Sequence, residues 1–217
     1  LSPTLFIMFI NDVVKELPKG VKAALYADDL ILWCTEEQAA TATYRMQLAL
    51  DNLSKWTDKW CLQINKDKSA ATLFTLTSQK AGKLTLGNEK LQFADEQTYL
   101  GVTFDKRLTW KPQIEKAEAK ARKKLNMMRK LAGTEWGANE KILKGTVRPI
   151  LEYGSGSFMT ASKSHINSLE KVQNQALRVI TGAMRSTPIE KMQRITGIAS
   201  LQTRMESKAM IMLTKAK

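Results

Sequence analysis

The stretch LYADDLIL, residues 25–32, decides the fold of the first half of this chain. Its two adjacent acids, Asp28 and Asp29, stand between apolar runs. Apolar runs on either side of a short polar break predict two buried strands joined by a turn, here over about 21–34. Two charges at one turn repel each other and are costly to bury. The sequence therefore predicts an antiparallel hairpin with both acids accessible at or beside its tip.

A divalent cation would offset the repulsion between the two acids. Mg²⁺ binds through carboxylate oxygens and substrate phosphates, and two such ions about 3.5–4 Å apart catalyse phosphoryl transfer. A site of that kind normally needs a further carboxylate from another strand. Asp12 ends a predicted helix, and Asp51 and Asp58 lie on another, so none is a convincing donor. The alternative is an ordinary hairpin in which the acids serve only as turn residues.

Positive charge is concentrated in the second half of the chain. The 217 residues carry a net charge of +13, of which residues 1–105 contribute −2 and residues 106–217 contribute +15. A basic half joined to a near-neutral half indicates a polyanionic partner, most often nucleic acid. The alternative is a solvated, charge-rich helical surface with no partner.

Several classes of protein are disfavoured by the cysteine and histidine content. Cys34 and Cys61 are far apart, with no CxxC pattern, which argues against a zinc site and a disulfide scaffold. The single histidine, His165, argues against hydrolase triads and is interpreted as a helix residue. The apolar run at residues 1–10 is too short to span a bilayer and lacks the basic start of a signal peptide. We therefore expect that the chain begins inside a fold.

Hydrophobic periodicity predicts an α+β first half and an all-α second half, divided near residue 106. Capping boxes are predicted at 35–38 and 187–190, and Pro149 is expected to kink or end a helix. Helices are predicted over about 3–16, 36–60, 111–131, 138–153 and 164–182, then from 188 and from 200. Further strands are predicted at 61–64, 71–76, 84–86, 91–93 and 98–104, with a turn at Gly87-Asn88.

Six motifs occur in a specific order that covers essentially the whole chain. They are LSPTLFIMFINDV (1–13), YADD (26–29), WCLQINKDKSAATLF (60–74), YLGVTFD (99–105), RPILEYGS (148–155) and LEKVQNQALRVITGAMRSTPIE (169–190). Together they resemble the reverse transcriptases of non-LTR retrotransposons, closest to the Jockey-like group. The resemblance implies a right-hand polymerase, with part of the palm over residues 1–105 and a helical thumb over 106–217. It also implies that the fingers, the first catalytic Asp and the endonuclease domain lie outside this chain.

The resemblance implies a role for individual residues. Asp28 and Asp29 would be catalytic carboxylates that hold Mg²⁺, or Mn²⁺ in its place, with Asp28 the more direct ligand. Lys68 would donate a proton to the leaving pyrophosphate, and its alternative is an exposed turn lysine. Substrate contacts would come from Ser2 and Pro3 near the template–nucleotide pocket, Tyr26 near the primer end, and Leu100 and Gly101 at the primer grip.

The implied partners are an RNA template, a DNA primer and deoxynucleoside triphosphates, with no membrane and an intracellular location, nuclear or cytoplasmic. The thumb would bind phosphates through Lys116, Lys120, Arg122, Lys123 and Lys124. We expect the isolated chain to be inactive because one catalytic carboxylate is missing. The alternative function is a non-catalytic nucleic-acid-binding module from a truncated or domesticated copy. A charged helical interaction protein would not explain YADD together with YLGVTFD.

Overall fold

Residues 2–131 and 140–215 are described by a computed structural model of the chain. The α+β class is confirmed, since helices and small sheets alternate in the first half and helices dominate the second. The chain divides into two units, residues 1–97 and 98–217. This division falls before the predicted boundary at residue 105, because the last hairpin of the chain packs on the helices that follow it.

The first unit contains two helices, two short 3₁₀ turns and six strands. They are α1 (Ser2–Ile10) with its 3₁₀ continuation (Asn11–Glu16), β1 (Val21–Tyr26), β2 (Asp29–Cys34), α2 (Ala39–Lys59), a 3₁₀ turn (Lys66–Lys68), β3 (Ala70–Ala71), β4 (Thr85–Leu86), β5 (Glu89–Lys90) and β6 (Gln92–Phe93). The antiparallel pairs are β1–β2 and β4–β5, and β3–β6 is parallel. The predicted strands at 61–64 and 71–76 are wrong, because only the Ala70–Ala71 pair finds a partner strand in that region.

The core of the first unit forms around α2. Leu50, Leu53 and Trp56 are buried on one face of this helix, where they meet Val13 and the leucines of the 84–91 segment. The Phe9 ring lies 5.6 Å from the Trp56 ring and 4.9 Å from the Trp60 ring, measured between centroids. Trp56 therefore packs in the core, whereas Trp60 covers the Phe9 ring and stays 46% exposed.

The capping box predicted at residues 35–38 is wrong. Helix α2 begins at Ala39, and its N-cap residue, Gln38, makes no side-chain capping bond. The Ala39 N–H instead donates to Gln79 Oε1 at 2.8 Å, so the cap comes from a loop 40 residues away. Glu36, the residue expected near the helix start, pairs with Arg45 at 2.6 Å.

The second unit is a hairpin followed by a helical bundle. Its elements are β7 (Glu96–Tyr99), whose first two residues precede the division, β8 (Val102–Asp105), α3 (Lys111–Leu131), α4 (Glu140–Ile142), a π-helical turn (Leu143–Val147), α5 (Arg148–Glu152), α6 (Lys163–Thr181), α7 (Ile189–Thr196) and α8 (Leu201–Lys215). Its core contains fully buried side chains from five of the helices, among them Ile114, Leu151, Leu169, Met192 and Leu201.

The single strand predicted over 98–104 is wrong, because the chain reverses at its centre. Leu100 has a φ of 46° and Gly101 a φ of 76°. Two successive residues with positive φ are what a tight two-residue hairpin turn requires. The result is the hairpin β7–β8, which pairs only with itself among the described residues.

Pro149 interrupts a helix as predicted. The π-helical turn Leu143–Val147 precedes it, and α5 begins at Arg148 with Pro149 in its first turn. A proline lacks the N–H that would continue the helical hydrogen bonds. The predicted start of this helix near residue 138 lies outside the described residues.

The remaining helix ends show one correction. Helix α6 has Ser162 as a side-chain N-cap and ends at Gly182, which has a φ of 63°, as the sequence predicts. The capping box at 187–190 is wrong, since α7 begins at Ile189 without a side-chain cap. Helix α8 is capped by a half-buried acid on α6, because Glu170 Oε2 accepts the Leu201 N–H at 2.8 Å.

One buried carboxylate joins α5 to α8. Glu152 lies 2.7 Å from Arg148 Nε and 3.0 Å from Arg204 Nε, and it also pairs with Lys208. Burial by itself would raise the pKa of Glu152. The hydrogen bond from Lys208 and the charges of all three cations outweigh burial and hold this pKa below its usual value.

We expect Glu152→Gln to lower the free energy of unfolding by about 3 kcal/mol at pH 7, because it leaves the buried Arg148 without its counter-charge. A carboxyl whose pKa is lowered by folding stabilises the protein above its ordinary pKa of 4.5, and this contribution is lost as the pH falls through the folded value. The difference between wild type and variant should therefore narrow below pH 4.5. Urea unfolding followed by circular dichroism from pH 7 to pH 3 measures it.

The matched control is Glu206→Gln, which removes an exposed acid from α8, the helix that carries the Arg204 and Lys208 partners of Glu152. It should leave the stability within about 0.5 kcal/mol of wild type. Equal stability of the Glu152 and Glu206 variants at pH 7 would contradict a stabilising role for the buried carboxylate.

Candidate active site and nucleic-acid interface

The two acids lie at the tip of the β1–β2 hairpin, and the predicted hairpin is confirmed. Tyr26 and Asp29 form the last pair of the ladder, so Ala27 and Asp28 are the two-residue loop. Ala27 has a φ of 52°. Both acids are exposed, as the electrostatic cost of burying them requires.

The acid pair has the donor chemistry that Mg²⁺ prefers, because both groups offer carboxylate oxygens at an exposed tip. Within residues 2–131 and 140–215, no cluster of three or more His, Cys, Asp or Glu side chains is arranged to hold a metal ion. Two neighbouring acids supply only part of an octahedral site. The two acids can therefore bind such a cation only together with other oxygen donors, which complete its coordination.

The other predicted site residues of the first unit are exposed. Tyr26 is 65% exposed and faces Asp29 across the ladder, so the phenol and one acid stand at the same end of the hairpin. Pro3 is exposed in the first turn of α1. Ser2 begins that helix, and its side chain lies outside the described part of the chain. Lys68 ends a 3₁₀ turn, is exposed, and donates its backbone N–H to Asn65 Oδ1 at 3.2 Å.

Leu100 and Gly101 belong to the second unit rather than to the unit that carries the acids. The sequence also predicts that the hairpin with the acids lies within about one strand pairing of the strand at 99–104. That prediction is wrong, since β1–β2 and β7–β8 each form a separate two-stranded sheet within the described residues.

The basic residues predicted on α3 divide into two groups. Lys116 Nζ donates to Thr103 Oγ1 at 3.1 Å, and Arg122 pairs with Glu118 at 2.7 Å, so both have partners within the fold. Lys120, Lys123 and Lys124 are exposed and form no ion pair with the residues that the structure describes. They lie on the side of the helix away from its buried stripe, which consists of Ile114, Ala117, Ala121, Leu125 and Met128.

Two residues near the β7–β8 hairpin were not predicted from the sequence. Asp105 accepts the backbone N–H groups of Thr109 and Trp110 at 3.0 and 2.9 Å. Burial opposes ionisation of Asp105, but these hydrogen bonds outweigh it and lower its pKa. Tyr153 donates its hydroxyl to the Leu100 carbonyl at 2.6 Å. No spacing rule joins residues 53 positions apart, so only the fold reveals this contact.

Comparison with known proteins agrees with this geometry. Residues 1–104, which include the hairpin with its two acids, match the family described as "Reverse transcriptase (RNA-dependent DNA polymerase)". This segment, just under half of the chain, is thus similar to members of the reverse transcriptase family. Within that family, the resemblance to the non-LTR, Jockey-like group is confirmed by curated relatives.

Three relatives show how far the similarity extends. The RNA-directed DNA polymerase from mobile element jockey of Drosophila melanogaster is 29% identical over 88% of this chain and 22% of its own length. Its counterpart in Drosophila funebris is 31% identical over the same shares. The probable RNA-directed DNA polymerase from transposon BS of Drosophila melanogaster is 28% identical over 83% of this chain and 21% of its own length.

The chain thus spans about a fifth of the length of these relatives. No solved structure matches it. Among the described residues, no helix combines the length and the apolar character needed to cross a membrane.

We expect Asp28→Asn and Asp29→Asn to change the free energy of unfolding by no more than about 0.5 kcal/mol, because both side chains are exposed at a loop. Asp105→Asn is the contrasting substitution, since it weakens a buried acceptor, and it should cost about 1–3 kcal/mol. Urea unfolding of the three variants measures the difference. A loss at Asp28 or Asp29 as large as that at Asp105 would mean that the pair supports the fold rather than a site.

Proposed function

We propose that this chain is the part of an RNA-directed DNA polymerase that holds the YADD carboxylates and a helical nucleic-acid-binding unit. Residues 1–97 would form part of the palm, and 98–217 would form the thumb with the adjoining hairpin. The observation that carries the proposal is the exposed acid pair at a hairpin tip within a segment that matches reverse transcriptases. The match to jockey-like polymerases over 88% of the chain supports extending it to the helical unit.

In this proposal Asp28 and Asp29 hold Mg²⁺, or Mn²⁺ in its place. When bound, the cation would offset the charge of the substrate phosphates and lower the barrier to phosphoryl transfer. Asp28 lies in the loop itself, so it has the freer approach to a ligand, whereas Asp29 is fixed in the last ladder pair. Tyr26, opposite Asp29, would contact the primer end or the incoming nucleotide.

The remaining roles come from the family resemblance. Lys68 is exposed and would hold a proton at Nζ for the leaving pyrophosphate, although an exposed turn lysine with no catalytic role has the same surroundings. Ser2 and Pro3 would lie beside the template–nucleotide pocket. Leu100 and Gly101 would form the primer grip, and their positive-φ turn exposes backbone at that point.

The helical unit would bind an RNA template paired with a DNA primer, mainly through phosphates. Lys120, Lys123 and Lys124 form an exposed basic group without internal ion pairs in the described part of the chain. Positive charge that is not used within the fold is available for phosphate contacts. The exposed side of α3 has no aromatic residue beside these lysines, so base stacking should add little.

A second candidate function is a nucleic-acid-binding module without catalysis. The observation that favours it is that the described residues offer a pair of acids rather than a complete metal-ligand cluster. The basic group on α3 would work in the same way in either case. The two functions therefore differ in nucleotide transfer and not in duplex binding.

We expect the isolated 217-residue chain to show no template-dependent DNA synthesis, because the acid pair lacks a further carboxylate to align the attacking oxygen. Fusing its first residue to the preceding polymerase segment of the jockey relative should supply that carboxylate. The fused protein should extend a DNA primer on an RNA template with Mg²⁺. Asp28→Ala or Asp29→Ala should then reduce incorporation to background.

The control in the fused protein is Asp67→Ala, which removes an exposed acid from the 3₁₀ turn next to Lys68 and should leave synthesis unchanged. The contrary outcome is that the isolated chain synthesises DNA and loses this activity on Asp28→Ala. That result would show that the site is misassigned, because the acid pair would then work without the further carboxylate. A fused protein that binds duplex but never incorporates nucleotide would favour the non-catalytic function.

Replacing Lys120, Lys123 and Lys124 with Ala should weaken duplex binding to a similar degree for unrelated sequences. For B-DNA, each phosphate contact contributes a slope of about −0.9 in log K against log salt, and the triple variant should be shallower by up to about three. Lys116 is left unchanged because its Nζ donates to Thr103 Oγ1 within the fold. Fluorescence anisotropy with an RNA–DNA duplex across a salt series measures both quantities.

The charge-matched control replaces Lys19, Lys55 and Lys80 of the first unit, which are also exposed. It lowers the net charge equally and should leave the salt slope nearly unchanged. Equal effects of the two triple variants would show that net charge, and not the α3 group, determines binding.

A further inference from the structure

The end of α5 and the β7–β8 turn fit into each other closely. Glycine stands at the contact on both sides. A Cβ on Gly101 would lie 3.3 Å from Cε1 of Tyr153, and a Cβ on Gly154 would lie 2.7 Å from Cγ2 of Val102. Both glycines have positive φ, 76° and 69°, which other residues adopt with strain. The turn and the segment 153–154 therefore form one closely packed contact.

A single side-chain hydrogen bond completes this contact. The Tyr153 hydroxyl donates to the Leu100 carbonyl oxygen at 2.6 Å, a short bond for this type. Leu100 itself has a φ of 46°, a conformation that a branched residue seldom adopts unless its surroundings hold it there. The hydrogen bond is therefore made to Leu100, which is the strained non-glycine residue of this two-residue turn.

The rest of the hairpin is also attached to the helices. The Thr103 N–H donates to Gln113 Oε1 on α3 at 2.9 Å, and Lys116 Nζ reaches Thr103 Oγ1 at 3.1 Å. These bonds hold β8 against α3, whereas the turn at residues 100–101 is held by the hydrogen bond from Tyr153. The Leu100 side chain remains 38% exposed.

We propose that Tyr153 is a positioning residue that sets the backbone of the Leu100-Gly101 turn for contact with the recessed 3′ end of a DNA primer. The proposal rests on the proposed function, which places this turn at the primer grip. Tyr153 acts through the Leu100 carbonyl and need not touch the primer. It would therefore affect recognition of the primer end and not the general attraction of the α3 lysines for phosphates.

The test uses the full chain, its Tyr153→Phe variant and two RNA–DNA duplexes that contain strands of the same lengths. In one duplex the template overhang leaves the DNA 3′ end recessed, and in the other it leaves the DNA 5′ end recessed. Because the number of phosphates is equal, the ratio of the two affinities reports recognition of the 3′ end alone. Phenylalanine keeps the ring over Gly101 and removes only the hydroxyl.

We expect the wild-type chain to prefer the recessed 3′ end and Tyr153→Phe to reduce that preference about three- to tenfold, the range that one hydrogen bond supports. Binding to the 5′-recessed duplex, its salt slope and the thermal midpoint should stay unchanged. The matched control is Tyr44→Phe, which removes an exposed hydroxyl from α2 and should leave the preference intact.

Four other results would overturn the inference, and one of them overturns the proposed function too. A variant that keeps the full preference shows that the hydroxyl does not position the turn. A variant that loses affinity for both duplexes together with thermal stability shows a structural role. If the wild type binds both duplexes equally, the turn does not contact the primer end, while binding through phosphates still holds. A wild type that binds neither duplex refutes the proposed function itself.

Discussion

The buried carboxylate of Glu152 is the constraint on which the arrangement of the second unit depends. A buried charge is tolerated only when cations surround it, and here Arg148 of α5 meets Arg204 and Lys208 of α8 at the same acid. The carboxylate thereby fixes the end of α5 at the residue before Tyr153. The contact between that segment and the β7–β8 turn follows from this fixed end, and so does the exposure of Leu100.

Local periodicity predicted the long helices well because their buried stripes are encoded within a few turns of sequence. Helices α2, α3 and α6 lie close to their predicted bounds for this reason. Helix starts were harder to predict, since Gln79 caps α2 from 40 residues away. The sequence around 98–104 alternates like a strand, and only the left-handed backbone of Leu100 and Gly101 makes it a hairpin.

The candidate site was predictable where chemistry is local and not where it depends on tertiary contacts. The tip position and exposure of Asp28 and Asp29 follow from the cost of burying adjacent charges between apolar strands. The separation of α3 lysines into bound and unbound groups depends on Thr103 and Glu118, whose positions periodicity does not give. Tyr153 was missed because its acceptor is a backbone carbonyl, which every residue offers.

Apolar side chains at the surface link the chain's solubility to its ionic surroundings. Leu5, Ile7 and Met8 of α1 and the run 210–213 at the end of α8 are all more than half exposed. At low ionic strength a net charge of +13 keeps such molecules apart. Salt screens the repulsion between these molecules, and it also weakens the attraction between lysines and phosphates over similar distances. Protein that salt would release in the proposed binding experiments is therefore also the protein most inclined to associate with itself, so light scattering should accompany every affinity measured in high salt.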